Sequence, residues 1–240
     1  MKQESVFPSA WRVLSGSGLK ALAMLAMLVD HCAMSFRALL GQKLFVMFGV
    51  QFTPYVLIRG FGRIAFPIFC FLLAEGFRHT SSRKRYAQRL LIFALLSEIP
   101  YNLVHEGNLY YPSQNVFFTL LLGFLGIWAL SKFREWPLHS ALALIALGIV
   151  SVLLKADYGW KGYLLILLMY QLAEQPVLQC FAGISLLGWP GGVALAYPLM
   201  NLYNGKRGFI KSPAAKYAFY LFYPVHLTAI WLVHRLTLGY

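Results

Sequence analysis

The stretch GLKALAMLAMLVDHCAMSFRALL, residues 18–40, decides the fold of this chain. It is an apolar run of the ~20 residues or more that a helix needs to cross a bilayer, yet Asp30 and His31 lie inside it. Comparable runs recur along the chain, at 58–80, 86–105, 114–132, 138–154, 160–172 and 215–236. The pattern predicts an all-α fold, a polytopic bundle of transmembrane helices with about eight spans. We expect a single integral membrane domain over residues 1–240.

The composition also indicates that lipid surrounds the protein. Of 240 residues, 59% are hydrophobic and only 12% are charged, and the mean hydropathy is +0.63. So few polar residues would not cover a soluble globule of this size. We therefore expect a multi-pass protein of the cell membrane, the inner membrane in a two-membrane cell, surrounded by membrane lipids.

The basic residues indicate orientation. The net charge is +13, but the Lys and Arg residues cluster in short connections between apolar runs, as the positive-inside rule describes for cytoplasmic loops. No nucleic-acid partner is therefore expected. The dense basic connection around Arg83, Lys84 and Arg85 is predicted to be cytoplasmic, which also puts the N-terminus in the cytoplasm.

Two stretches are ambiguous as spans. Residues 43–57 are apolar but short, so an interfacial or re-entrant helix is as compatible as a span. Residues 176–203 contain the sequence GWPGG at 188–192, which should break a helix. A broken helix there would enter and return, and the basic residues around 206–216 would then lie inside.

Ionisable residues inside a span are costly in lipid and by default mark a site. His31 lies about 16 Å along its helix from Lys20, which is close to mid-membrane. One interpretation is that Asp30 and His31 are a buried polar pair that fixes helix packing. The other is that His31 is a general base, with Asp30 or Glu98 as the acid that balances it.

Further polar residues lie at similar depth. Arg63 could be the counter-ion of Asp30 or could hold an anionic group of a substrate, and His226 could be a satisfied core histidine or part of a site. Glu98, Asn102 and His105 share one helix face, which predicts a polar chamber in the outer half of the bundle. The amides at the outer side of this chamber are candidate oxyanion stabilisers: Asn102, Gln114 and Asn115.

Several kinds of site are absent from the sequence. There is no G-x-G-x-x-G, no phosphate-binding P-loop and no H-E-x-x-H. The three cysteines, Cys32, Cys70 and Cys180, are far apart and lie within apolar runs, so neither disulfides nor a zinc site is indicated. No metal is expected.

Five blocks of sequence together resemble the TraX family. They are LKALA with MLVDH around 19–31, GRIAFPIF with EGF around 62–77, SEIPYN at 97–102, QNVFFT at 114–119, and FYLFYPVHL at 219–227. The regions 43–57 and 136–192 are similar in hydropathy only.

This resemblance implies an activity. The family's named member is implicated in N-terminal acetylation of pilin, and the family is similar to membrane acyltransferases that use cytoplasmic acetyl-CoA. It implies transfer of an acetyl group from acetyl-CoA, as donor substrate, to an extracytoplasmic acceptor, a peptide N-terminus or a surface sugar. His31 would be the base, and Arg63, Glu98 and His226 would line the site. Arg83, Lys84 and Arg85 are possible partners of the CoA phosphates, besides being topology signals.

Two other classes of protein fit the sequence. In a proton-coupled transporter, Asp30, His31, Arg63 and Glu98 would form a path, and the break at 188–192 would be a half-helix site. A noncatalytic assembly factor for surface appendages would need none of these ionisable residues.

Overall fold

The structure is a computed structural model that describes residues 6–40, 45–47, 50–188 and 192–238. These residues form a helical bundle, which confirms the predicted fold class. The helices are α1 Gly16–Ser35, α2 Arg37–Leu40, α3 Pro54–Gly62, α4 Ala65–His79, α5 Arg83–Glu106, α6 Val116–Lys132, α7 Pro137–Leu153, α8 Gly159–Gln171, α9 Pro176–Leu187, α10 Val193–Asn201 and α11 Pro213–Leu238. A single 3-10 turn, Ser9–Trp11, precedes them.

Local sequence explains where many helices begin. The side chains of Ser15, Thr53, Ser82 and Asn115 each accept a hydrogen bond from a backbone N–H in the first turn of the helix that follows. Proline, whose missing N–H costs nothing in the first turn, opens α3, α7 and α9. These signals account for starts that hydropathy alone locates poorly.

The helix lengths and the apolar outer surface of the bundle suit a membrane. The segments Gly16–Ser35 and Pro54–His79 are long and apolar enough to cross one, and Val116–Lys132, Pro137–Leu153 and Pro176–Leu187 are shorter apolar helices. Large apolar side chains such as Leu95 and Ile99 lie exposed on the outside of the bundle, where lipid would cover them. The number of spans and the cytoplasmic N-terminus stay predictions.

Helix α4 is the centre of the bundle. It packs against α1, α6, α8 and α10, and its residues Phe66, Ile68, Phe71 and Phe77 are buried. Helices α1, α5 and α11 pack together on one side of it, α5 against α11 and α1 against α11. These three helices carry most of the polar residues singled out in the sequence.

The structure corrects one of the two ambiguous stretches. In place of a helix over 43–57, residues Phe45–Met47 (β1) and Val50–Phe52 (β2) form an antiparallel hairpin, with residues 41–44 and 48–49 outside the described part. The helix begins only at Pro54, because Pro54 is favoured in a first turn and Thr53 caps it. The hairpin is the exception to the all-α prediction within the described residues.

The other ambiguous stretch is broken as predicted. Helix α9 ends at Leu187, Gly188 adopts a positive φ of 85°, and α10 begins at Val193. Residues 189–191 lie outside the described residues. Two other spans are also interrupted: the first is α1 followed by the short α2, and the second is α3 and α4 with a turn between them.

Helices α1 and α3 approach each other closely at Gly62. A Cβ atom at this position would lie 2.3 Å from the Cβ of Asp30. Only a residue without a side chain lets the backbone of α3 come this near to Asp30, so Gly62 sets the spacing of the two helices.

We expect Gly62→Ala to lower the thermal stability of the protein. The added methyl group would collide with Asp30, at a cost of about 1–3 kcal/mol. Gly60→Ala in the same helix is the matched control, because a Cβ there meets nothing within 4 Å and alanine favours a helix by up to ~1 kcal/mol. Thermal unfolding of both variants in one detergent measures the difference. Equal midpoints would contradict the close contact.

Candidate active site

Two histidines meet inside the bundle. Nδ1 of His31, on α1, lies 2.8 Å from Nε2 of His226, on α11. The two rings are nearly parallel, with 7° between their planes, and His226 is only 5% exposed. The other nitrogen of His226, Nδ1, lies 2.7 Å from the carbonyl oxygen of Phe222. The two histidines that the sequence predicts near mid-membrane are therefore direct partners.

Asp30 has a partner that the sequence analysis missed. Arg59 of α3 donates a hydrogen bond of 2.5 Å to its carboxylate. The suggested direct counter-ion, Arg63, instead interacts with Tyr158 and acts on Asp30 only at longer range. Arg59 lies in the last turn of α3, four residues before Arg63, the C-cap residue, and this spacing was the signal available in the sequence.

Glu98 and Asn115 join α5 to α6. The Nδ2 group of Asn115 donates to Glu98 at 2.6 Å and to the carbonyl oxygen of Ala94 at 2.8 Å, while its Oδ1 caps α6 by accepting from the N–H of Phe117. Both hydrogens of the Asn115 side-chain amide are therefore used within the protein, which leaves neither for an oxyanion. The other oxygen of Glu98, Oε1, is buried without a hydrogen-bond partner among the described residues.

Of the other two candidate residues, Asn102 has a partner through its side chain and Gln114 has partners through its backbone. Asn102 donates from Nδ2 to the carbonyl oxygen of Leu109 at 2.8 Å and so closes the loop after α5. The backbone of Gln114 pairs with that of residues 155–157, since the N–H of Asp157 donates to the carbonyl oxygen of Gln114 at 2.8 Å. The chain segments before α6 and α8 are thereby tied together at one end of the bundle.

Asp157 and Tyr158, between α7 and α8, were not singled out in the sequence. Thr119 of α6 donates to the carbonyl oxygen of Asp157, and Tyr158 stacks on Phe66 with ring centroids 3.7 Å apart. Burial raises the pKa of the Asp157 carboxyl to about 6. Asp157 interacts electrostatically with Arg63, Asp30 and Arg59. In the sequence, Asp157 is an isolated acid between two apolar runs, and this isolation was the signal that could have marked it as a site residue.

An apolar cavity lies on the side of the histidine pair nearer the basic segments. Lys20, Met24 and Met27 of α1 line it together with residues of α4, α5, α6 and α11. Tyr223 of α11 also lines it, and the Tyr223 ring contacts the rings of both His31 and His226. The inner cavity, as we name it, therefore extends from Lys20 to the neighbourhood of the histidine pair.

A second, more polar cavity lies on the other side. Its lining comes from the ends of α1, α5 and α11 and comprises Met34, Ser35, Leu103, Val104, His105, Glu106, Gly107, Trp231, His234 and Arg235. We name this space the outer cavity. One of its lining residues, His105, interacts electrostatically with His31.

The same three helices line both cavities, with the histidines between. On α1, Met27 lines the inner cavity and Met34 the outer one; His31 is four residues after the first and three before the second, on the same helix face. On α11, His226 lies between Tyr223, three residues earlier, and Trp231, five residues later. The arrangement gives a group at the histidine pair two neighbouring spaces of different polarity.

Cationic side chains gather at the far end of the inner cavity. Lys20 is near Lys216 and Arg207, and Lys216 is also near Arg89 and Arg85. Like charges this close repel each other, so an anion is the partner that would stabilise them.

The predicted CoA-phosphate residues lie beside this cluster. Arg85 takes part in it through Lys216, while Arg83 lies over the ring of Phe77, 4.6 Å from its centroid. Arg83, Lys84 and Arg85 are exposed at the start of α5, and none of them is among the described residues that line the inner cavity. Their role as phosphate partners stays a prediction.

Comparison with known proteins gives a family and a relative. The family model described as TraX protein matches residues 15–234. A similar protein is the "probable fimbrial assembly protein FimC, serogroup H1" of Dichelobacter nodosus, 29% identical over 238 residues, which cover 88% of this chain and 92% of the relative. No solved structure matches the chain significantly.

We expect Asp157→Asn to stabilise the protein at high pH and to change little at pH 4. Because the folded-state pKa of about 6 exceeds the unfolded value of about 3.9, this group's contribution to stability is present below about pH 4. It is lost as the pH rises through about 6. Asparagine keeps the oxygen that accepts from the N–H of Tyr158 but avoids the buried charge.

The measurement is thermal unfolding of wild type and Asp157→Asn at pH 4 and pH 8. The gain at pH 8 should be up to about 3 kcal/mol, from about two pKa units. The exposed Glu135→Gln is the control and should show no such pH-dependent gain. A loss of stability in Asp157→Asn at pH 8 would mean that the arginines favour the charged form of Asp157.

Proposed function

Since the chain belongs to the TraX family, we propose that it is a membrane acyltransferase that moves an acetyl group from cytoplasmic acetyl-CoA to an extracytoplasmic acceptor. One observation carries the proposal: along both α1 and α11, the hydrogen-bonded His31–His226 pair lies between residues that line the inner cavity and residues that line the outer one. A donor in one cavity and an acceptor in the other would meet at the histidines. Neither substrate would then need to cross the bilayer.

The inner cavity suits the donor. Its lining is mainly apolar, with Met24, Met27 and Leu120 among the contributors, as the uncharged pantetheine arm and thioester require. The cationic cluster of Lys20, Lys216 and Arg207 at its far end supplies charge-assisted hydrogen bonds for the CoA phosphates. The thioester carbon would then reach Tyr223 and His31.

His31 acts as general base in this proposal. It removes the proton from the attacking amine or hydroxyl while the new C–N or C–O bond forms at the thioester carbon. The C–S bond then breaks, and the proton on His31 passes to the departing CoA thiolate to give free CoA. The reaction consumes one acetyl-CoA and one acceptor and needs no other reactant.

The acidic residues have separate roles in the same site. Asp30 forms an ion pair with Arg59. The pair holds α3 against α1, and because Arg59 neutralises the carboxylate, Asp30 has little effect on the charge of the base His31. Glu98 offers the buried oxygen Oε1, which has no hydrogen-bond partner in the described residues, to a donor group of the acceptor. The N–H of a neutral amine or the O–H of a sugar can donate to this oxygen, which would orient the attacking group.

The acceptor enters through the outer cavity. Trp231, His105 and Glu106 in its lining provide stacking and hydrogen bonding for either a peptide N-terminus or a surface sugar. The relative from Dichelobacter nodosus is named for fimbrial assembly, which favours a component of a surface appendage as the acceptor.

The same name supports a second candidate, a noncatalytic role in assembling a surface appendage. In that case the chain would hold or position other components, and no acetyl group would be transferred. The buried histidines and the ion pair would then only fix the packing of α1, α3 and α11.

Release of CoA from acetyl-CoA by the purified protein in detergent tests the proposal. With a panel of amine and hydroxyl acceptors, we expect acceptor-dependent release, and His31→Ala should lower it by about 10²-fold or more. His139→Ala, a change of an exposed histidine far along the chain on α7, is the control and should retain activity.

The other outcomes are decisive as well. No release with any acceptor, together with no binding of CoA, contradicts an acyltransferase. Uptake of a solute into proteoliposomes without CoA binding would indicate a transporter. Normal assembly of surface appendages in cells with His31→Ala would favour the noncatalytic role.

A separate variant tests the donor side. Lys20→Met keeps the length of the side chain but removes a charge from the cationic cluster, so we expect the KM for acetyl-CoA to rise about 10-fold with kcat nearly unchanged. Lys132→Met, at the exposed end of α6, should leave both constants unchanged. A fall in kcat alone would contradict a role of Lys20 in binding the donor.

A further inference from the structure

We infer that His226 is a positioning residue that holds His31 in the tautomer protonated at Nδ1, so that Nε2 of His31 is the atom that takes the acceptor's proton. This inference rests on the proposed function for its chemical meaning. The arrangement of protons follows from the hydrogen bonds alone.

The first step concerns His226. Its Nδ1 lies 2.7 Å from the carbonyl oxygen of Phe222, one turn earlier in α11. A carbonyl oxygen only accepts hydrogen bonds, so Nδ1 of His226 must carry a hydrogen. In a neutral imidazole the other nitrogen then has none, and Nε2 of His226 is an acceptor.

The second step transfers this assignment to His31. Nε2 of His226 lies 2.8 Å from Nδ1 of His31, and two acceptors at that distance would repel each other. His31 must therefore be protonated at Nδ1. Its Nε2 is left with a free electron pair, which makes Nε2 the basic atom of the neutral pair.

The surroundings of His226 keep this arrangement rigid. The ring of Phe222 stacks on the His226 ring, with centroids 4.7 Å apart, and the Tyr223 ring meets it edge-on. His226 is only 5% exposed. A ring packed in this way has little freedom to turn its nitrogens away from His31, so the acceptor is in place before any substrate binds.

The tautomer matters for the reaction. When Nε2 of His31 takes the proton, the ring becomes positively charged, and its Nδ1–H keeps donating to Nε2 of His226. That hydrogen bond stabilises the positive charge on His31 until the proton passes from Nε2 to the thiolate of CoA. In serine hydrolases, removing the residue that fixes the tautomer of the base costs ~10⁴-fold in kcat.

Two variants of His226 test the role. Glutamine offers an amide oxygen near the position of Nε2, so His226→Gln should retain most of the activity. His226→Leu fills similar space without an acceptor, and kcat should fall ~10²-fold or more with the KM for acetyl-CoA unchanged. Equal losses in both variants would overturn the positioning role, since packing alone would then be at stake.

The tautomer itself is measured by ¹⁵N NMR of histidine-labelled protein in nanodiscs, with the His31 signals assigned by the His31→Ala variant. We expect a protonated Nδ1 and an unprotonated Nε2 in the wild type, and a signal of protonated Nε2 in His226→Leu. A wild-type His31 protonated at Nε2 overturns the inference.

The two hypotheses fail in different ways. If NMR finds the expected tautomer but no acceptor releases CoA, the histidine pair stands and the acyltransferase is contradicted. If CoA release depends on His31 while the His31 ring is protonated at Nε2, the acyltransferase is supported and the positioning role of His226 is contradicted.

Discussion

A polar group in the hydrocarbon region of a membrane must find its partner within the protein, because lipid offers none. Three pairs of polar residues in this chain follow that constraint: Asp30 with Arg59, His31 with His226, and Glu98 with Asn115. Each pair joins two different helices. The contacts that satisfy the polar groups therefore also fix how α1, α3, α5, α6 and α11 lie against one another.

The pairing has a second consequence for the chemistry. Arg59 neutralises Asp30 beside the histidine, so His31 is left with a neutral partner, His226, and not with a carboxylate. A base held by a neutral acceptor stays uncharged between reactions, which suits an apolar surrounding. Removing one member of a buried pair exposes the other to the full cost of an unpaired polar group, often several kcal/mol. A substitution at one of these paired residues would therefore change both the stability of the fold and the proposed reaction.

Much of the architecture could be predicted from the sequence. The hydropathy pattern predicts the helical bundle, and GWPGG predicts the break between α9 and α10. The helical spacing of Glu98, Asn102 and His105 predicts a shared inward face. The prediction was wrong for 43–57, where hydropathy does not distinguish a short helix from a hairpin and Pro54 starts the helix later. The proposed counter-ion Arg63 was replaced by Arg59, because one helical turn decides which arginine reaches Asp30.

The sequence by itself determined that this is a helical membrane protein with ionisable residues inside its apolar runs, because composition and spacing reflect the cost of placing polar groups in lipid. Its resemblance to the TraX family comes from five blocks of sequence. Tertiary structure alone decided which of those residues are partners. His31 and His226 are 195 positions apart, and Asp157 interacts with Arg63 across the bundle from the connection between α7 and α8. Periodicity along one helix gives the direction of a side chain, whereas partners depend on how separate helices pack.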